Sequence, residues 1–347
     1  MGLLTILITT LNRVEILRDC VDAIYSSNDL NWVEEVIIVD DGSTDDTLIY
    51  TKQLQKEGKV SKIIRNEKTR GPATARNHGV RAAKGEYTLI MGDDIILFPS
   101  SIRLFCEHIQ RFGLHNASVI GNTLPSPNNL TAFEYWSCNG GSQFGHYKIP
   151  DENKFDACDE YYYTCNVVTP TAVLKEHPFD ESFLYARYED RELSYRLKKK
   201  INHKIHYLAE AKSYHQHKLP FKEWLQKFEK FTWAALHFSN IYPKDMDLKR
   251  KLGIEKAFEM ETFQFDALDY SVKLINNYHK HFFDSEEKFG QTWIREMVTT
   301  SFRNLQEFFR LNYYRKHLKI PVLISENKDI SALEAMDLVL DKLNDNV

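Results

Sequence analysis

The stretch EVIIVDDGSTDDT, Glu35 to Thr47, sets a β-branched apolar run directly against a cluster of acids and small polar residues. Glu35 to Val39, rich in β-branched residues, predicts a short strand. Ser43 or Thr44 offers an N-cap, and Asp45 and Asp46 fall where a helix dipole favours acids. The pattern therefore predicts a strand, a tight turn and a helix over Thr44 to Glu57. That explains Ser43 to Asp46 but not Asp40 and Asp41, which stand at the carboxyl end of the strand. A carboxylate there can accept from a base or a ribose hydroxyl, as the acid of dinucleotide folds does.

Outward from this unit the pattern repeats. Leu4 to Thr9, Val60 to Ile64 and Tyr87 to Met91 read as further strands, and Val14 to Ser26 and Ala73 to Lys84 as helices. Strands alternating with helices imply an α/β fold, with a mostly parallel sheet and right-handed crossovers. Ligands of such sheets lie beyond the carboxyl ends of the strands. Three polar turns fall there: Thr10-Leu11-Asn12-Arg13, Asp40-Asp41-Gly42-Ser43 and Gly92-Asp93-Asp94. The last sits inside EYTLIMGDDIILFP, where adjacent acids interrupt an apolar run. Buried acids are costly without a positive partner, so this turn calls for solvent, an arginine or a metal ion.

The chain has 347 residues, long enough for one large domain or two ordinary ones, and 43% hydrophobic content suits a globular protein. With 45 Lys and Arg against 49 Asp and Glu, the net charge of -4 lacks the basic excess of a nucleic-acid binder. Five cysteines without a CxxC pair argue against a disulfide framework or structural zinc and suit a reducing cytoplasm. The N-terminus lacks a basic region ahead of its short apolar run, and no window gives about 18 uninterrupted apolar residues. Gly113 to Tyr163, centred on Asn139-Gly140-Gly141-Ser142, reads as loops and short strands. Beyond a boundary near Leu219 the glycines thin out, and Phe221, Trp224, Leu225, Phe228 and Phe231 stand at helical spacing, as do Phe302, Leu305, Phe308, Phe309 and Leu311. Residues 1–218 are thus expected to form one domain and 219–347 an α-helical region.

Three more constellations carry chemistry. Gly71-Pro72-Ala73-Thr74-Ala75-Arg76-Asn77 reads as a helix start with Pro at N1; on its crevice side Arg76 could meet a phosphate or hold nearby acids. No P-loop or GxGxxG element is present. Tyr188-Glu189-Asp190-Arg191-Glu192 reads first as an acidic helix start. His215 and His217 alternate on an extended segment, a spacing that suits a polar strand or a metal site.

Taken together, and over roughly residues 1–218, these motifs resemble the inverting GT-A glycosyltransferases of family 2. The resemblance rests on Thr9 to Arg13, Val39 to Thr47, Gly71 to Asn77 and Gly92-Asp93-Asp94, supported by Asn166, Phe179-Asp180-Glu181-Ser182-Phe183 and Glu189-Asp190. It implies a nucleotide-sugar donor bound by Thr9, Leu11, Asn12, Arg13, Asp41, Arg76 and Asp93. It also implies a divalent cation, Mn²⁺ or Mg²⁺, on Asp94 and His215, with His217 as the fallback ligand. Asp190 would be the general base and Glu189 would bind the acceptor. Two departures stand out: Leu11 replaces a usual Tyr, and Gly92 replaces the first acid of DxD. UDP is the expected nucleotide, with Asp41 facing the imide N-H of uracil. The expected acceptor is a bacterial surface glycan or its lipid-linked precursor, and the expected location is the cytoplasm.

Segment Ser301 to Pro321 combines aromatics with Arg303, Arg310, Arg315, Lys316 and Lys319. Such a helix either lies on an anionic membrane, at its inner face, or buries its aromatics against a neighbouring helix or a second copy of the chain. Two rival readings are a sugar nucleotidyltransferase, which usually carries a Gly-rich N-terminal signature absent here, and a catalytically silent sugar-binding scaffold.

Overall fold

The computed structural model describes residues 2–128, 130–138, 144–216, 220–279, 282, 290–326 and 330–344. The Asn139 to Ser142 motif, His217 and Leu219 lie outside them. The chain divides into two compact units, Met1–Ser126 with Ser142–His217, and Pro127–Gly141 with Lys218–Val347.

In the first unit, β1 (Leu4–Thr10) is followed by α1 (Val14–Tyr25), β2 (Val33–Asp40), α2 (Thr47–Lys56), β3 (Lys62–Arg65) and α3 (Pro72–Ala82). Then come β4 (Tyr87–Gly92), β5 (Ile95–Leu97), α4 (Ser101–Phe112) and β6 (Ala117–Pro125); α5 (Ala132–Trp136) belongs to the second unit. The first unit closes with β7 (Asn166–Pro170), α6 (Thr171–Glu176), α7 (Glu189–Ile201) and β8 (Lys204–His215). The eight strands form one mixed sheet in the order β3-β2-β1-β4-β7-β6-β8-β5. β3, β2, β1 and β4 run parallel, β7 is antiparallel to both β4 and β6, and β8 is parallel to β6.

Side-chain alternation along β1 explains the two layers of helices. Leu4, Ile6 and Ile8 pack with Leu17, Val21 and Ile24 of α1 and Ile102 and Phe105 of α4. Leu7 points the other way, joining Val80 of α3 and Leu193 and Leu197 of α7. Each such side chain, fully buried, contributes about 1.5–3 kcal/mol, so both sheet faces supply core. α2 begins at Thr47 rather than at the expected Thr44. The reason lies outside the helix: Asn12 Oδ1 accepts from the Thr44 N-H at 2.7 Å, drawing that residue into the turn.

The second unit is mainly helical, adding α8 (Phe221–Gln226), α9 (Phe228–Ile241), α10 (Met246–Lys251), α11 (Phe265–Tyr278), α12 (Gly290–Leu318) and α13 (Ala332–Lys342), with short strands β9 (Thr262–Phe263) and β10 (Ile324–Ser325). Phe133 and Trp136 of α5 join Phe221, Trp224, Phe302, Leu305 and Phe309 in its core. α12 thus spends its aromatic face inside its own unit. Arg315, though cationic, is buried and donates to the carbonyls of Ala257, Met260 and Pro321, while Lys316 pairs with Glu229 at 2.6 Å.

Candidate active site

The ends of β1 and β2 are stitched together by a short polar turn. Asn12 adopts a left-handed conformation (φ 53°), which Asn tolerates better than most residues. Its Oδ1 accepts from Thr44, and its backbone N-H donates to Ser43 Oγ at 2.9 Å. Leu11, beside it, is exposed, while Thr9 is half-buried at the strand end. Asp40 accepts from the Ser43 N-H at 2.8 Å and pairs with Arg65 at the end of β3.

Asp41 holds a neighbouring loop. Its oxygens accept from Asn66 Nδ2 at 2.6 Å, Thr69 Oγ1 at 2.7 Å, and the backbone N-H groups of Arg70 and Gly71 at 3.0 Å each. Four donors fill the acceptor sites of one carboxylate. The loop crosses Gly42 so closely that a Cβ there would lie 2.8 Å from the Lys68 carbonyl carbon, and Gly42 has φ 94°, where side chains are strained. Arg65, Asn66 and Thr69 escaped the sequence reading; the signal for them was the polar run following a fourth strand, β3.

A second cluster lies where β4 gives way to β5. Thr10 Oγ1 donates to Asp93 at 2.7 Å, and Arg13 Nη1 donates to Asp93 Oδ1 at 2.8 Å and Asp94 Oδ2 at 2.9 Å. β5 pairs antiparallel with β8 in a register that sets Ile95 opposite His215, and the Gln216 N-H donates to the Asp94 carbonyl at 2.8 Å. His215 Nε2 consequently lies 3.4 Å from Asp94 Oδ2. Burial and the charge of Asp94 push the Asp93 carboxyl up to about 6, against the pull of Arg13. Gly92 is short of space: a Cβ there would sit 2.6 Å from Asp94 Oδ1.

This chemistry fits a hard divalent cation. Among the described residues no cluster of three or more His, Cys, Asp or Glu is set to hold a metal. One carboxylate and one imidazole are nevertheless enough when phosphates and water fill the shell. Adjacent ligand atoms around a small octahedral cation lie about 3 Å apart, close to the Asp94 to His215 separation.

The third cluster joins α3 to α7. Arg76 Nη1 donates to Glu189 Oε1 at 2.6 Å, and both side chains are nearly fully buried. Arg76 therefore holds an acid, one of the two roles open to it from sequence. Glu189 Oε2 and Arg76 Nε are buried with no partner. Burial, then the adjacent Asp190, pushes the Glu189 carboxyl up to about 7 despite Arg76. Asp190 is only half-buried and accepts from the Arg191 N-H at 2.8 Å and the Thr164 N-H at 3.4 Å. Tyr188, just ahead of the pair, has φ 71°, a strained conformation for an aromatic residue that sets the direction in which α7 starts. Asn77 on α3 donates to the Phe179 carbonyl at 2.9 Å and to Glu181 at 3.0 Å, tying the FDESF segment to the same helix.

Residues 5–152 match the family described as Glycosyl transferase family 2. Glycosyltransferase GlyG of Streptococcus pneumoniae is 30% identical over 108 residues, covering 31% of this chain and 35% of that protein. GalNAc(5)-diNAcBac-PP-undecaprenol beta-1,3-glucosyltransferase of Campylobacter jejuni is 30% identical over 122 residues, covering 35% of this chain and 38% of that protein. The matched part of the chain thus spans little more than a third of the length of these relatives. Among solved structures, S. aureus TarS 1-349 aligns with a TM-score of 0.53 at 15% identity, over 89% of this chain and 91% of that one. Mannosyltransferase PcManGT from Pyrobaculum calidifontis, in complex with GDP-Man and Mn²⁺, aligns with a TM-score of 0.54 at 13% identity, over 89% and 87%. These likenesses speak to the fold alone. The matched residues carry the turns at the ends of β1, β2 and β4: residues 5–152 are similar to glycosyl transferase family 2, and the fold is of the GT-A type.

Proposed function

We propose that this chain transfers a sugar from a nucleoside diphosphate to a hydroxyl of a glycan acceptor, by one displacement that inverts the anomeric carbon. The observation that carries the reading is the Glu189–Asp190 pair. One acid is buried on Arg76 with its carboxyl pushed up to about 7, and its neighbour is half-exposed at the start of α7. Two adjacent carboxyls in unlike environments divide the work of an acid–base site. Asp190 takes the proton of the attacking hydroxyl, a poor nucleophile until a base stands within hydrogen-bond reach. Glu189, kept close to neutral, donates to or accepts from the acceptor sugar.

On the donor side Thr9, Leu11, Asn12 and Arg13 form one wall. The exposed Leu11 offers an apolar contact to the face of a base, and Asp93 would serve the ribose. Asp41, saturated by the 66–71 loop, serves by fixing the turn ahead of α3 rather than through a free lone pair. Asp94 and His215 would hold a divalent cation, Mn²⁺ or Mg²⁺, which supplies positive charge to the departing diphosphate when bound. UDP is the expected nucleotide. Relatives named for poly(ribitol-phosphate) and undecaprenol-linked substrates support an acceptor in bacterial surface polysaccharide synthesis. A lipid-linked acceptor would bring the protein to the inner face of a membrane; no helix among the described residues is long and apolar enough to cross one.

The test is incubation with a panel of nucleotide sugars and Mn²⁺, following nucleotide release with and without glycan acceptors. Slow release of nucleoside diphosphate from one donor, lost in Asp190→Asn, supports the reading. Pyrophosphate-dependent formation of a nucleoside triphosphate would replace it with a nucleotidyltransferase, and no turnover of any donor would leave a sugar-binding scaffold.

A further inference from the structure

Arg13 and a divalent cation need the same oxygen. Asp94 Oδ1 lies toward the backbone of Gly92, since a Cβ at that position would be 2.6 Å away from it. Oδ2 is therefore the oxygen turned toward His215, at 3.4 Å, and it is also the one to which Arg13 Nη1 donates at 2.9 Å. The same nitrogen reaches Asp93 Oδ1 at 2.8 Å, so a single guanidinium group bridges both acids. A cation ligated by Asp94 Oδ2 and His215 would lie against that guanidinium group, with like charges in contact in a partly buried setting. Arg13 stands just ahead of α1 without capping it through its side chain, and about a third of that side chain is exposed, which leaves room for it to turn away. A diphosphate supplies the anionic oxygens for it to turn to.

We propose that Arg13 is the resting counterion of the Asp93–Asp94 turn, and that a cation takes Asp94 only as Arg13 moves to the diphosphate. Cation and donor then bind as a unit, and the protein without nucleotide discriminates against the free metal. Gly92 belongs to the same device: a side chain there would push Asp94 out of the position in which Arg13 holds it. The proposal rests on the donor-site reading above.

The experiment is titration of the full chain with Mn²⁺, following free Mn²⁺ by electron paramagnetic resonance, with and without UDP. The wild type should bind Mn²⁺ weakly alone and much more tightly with UDP. Arg13→Met should bind Mn²⁺ without nucleotide at least tenfold more tightly than the wild type, and Arg13→Lys should stay near the wild type. The gain should vanish in Arg13→Met/His215→Ala, which locates it at the Asp94 site. If Arg13→Met fails to fold by circular dichroism, Arg13→Gln carries the same expectation. Nucleotide-free Mn²⁺ affinity unchanged or weaker in a folded, uncharged variant would overturn the proposal. Absence of Mn²⁺ binding in every variant with UDP present would sink the donor-site reading itself, and this proposal with it.

Discussion

Replacing Glu189 with glutamine should remove a pH dependence of stability that the wild type carries. Glu189 is 2% exposed, its second oxygen has no partner, and its carboxyl is raised from the usual 4.5 to about 7. An acid that is harder to ionise in the folded state binds more protons there than in the unfolded chain. Stability therefore falls as pH rises from about 4.5 to about 7 and is level on either side of that window. At 1.36 kcal/mol for each pKa unit, the full swing is about 3 kcal/mol. Glutamine keeps the shape and an oxygen for Arg76 but cannot ionise. Any fixed cost of giving Arg76 a neutral partner is the same at every pH, so the difference between variant and wild type isolates the titration. Urea unfolding of both proteins at pH 5 and pH 8 measures it. The variant should gain relative to the wild type by roughly 2–3 kcal/mol between those values. A difference that stays flat with pH would refute the idea that Glu189 is held close to neutral, and with it the division of roles between the two acids.

Gly42→Ala should cost about 2 kcal/mol or more, because it combines a left-handed backbone with a Cβ driven against the Lys68 carbonyl carbon; a thermal melt reads the loss. Asn12→Ala removes the acceptor for the Thr44 N-H and should cost about 1–2 kcal/mol, while raising KM for the donor more than it lowers kcat. Arg315→Met removes the donor to the carbonyls of Ala257, Met260 and Pro321, the first of them buried, at about 1–3 kcal/mol of stability in urea. The same substitution should leave co-sedimentation with anionic liposomes unchanged, since Arg315 faces its own unit's interior.

The layered α/β architecture was legible because strand and helix periodicities differ sharply, and Leu4, Ile6 and Ile8 against Leu7 already divide one strand between two faces. The acids of the site were legible because a carboxylate at the end of a buried strand is costly without a partner. Their partners were not. Arg76 meets Glu189 across 113 positions, and Thr10 meets Asp93 across 83, so neither pairing leaves a local signal. The start of α2 moved because a side chain from another strand end claimed the Thr44 N-H. Asp41 reads as an open acceptor in sequence, but donors from the loop after β3 fill it. Phe133 and Trp136 sit in a stretch rich in loop residues, yet they join the aromatic core of the second unit because a capping box at Thr131 starts a short helix there.

The pairing of Ile95 with His215 carries a consequence for how the protein comes to be active. β5 has only three residues and closes on a strand from the far end of the unit, the slowest kind of contact for a chain to make. A slip of one residue would turn His215 to the opposite face, away from Asp94. Helices and the parallel strands can therefore be complete in a chain that has not yet brought His215 beside Asp94. During refolding, the Asp94–His215 contact should arrive after most of the secondary structure, set by the pace at which the shortest strand of the sheet finds its register.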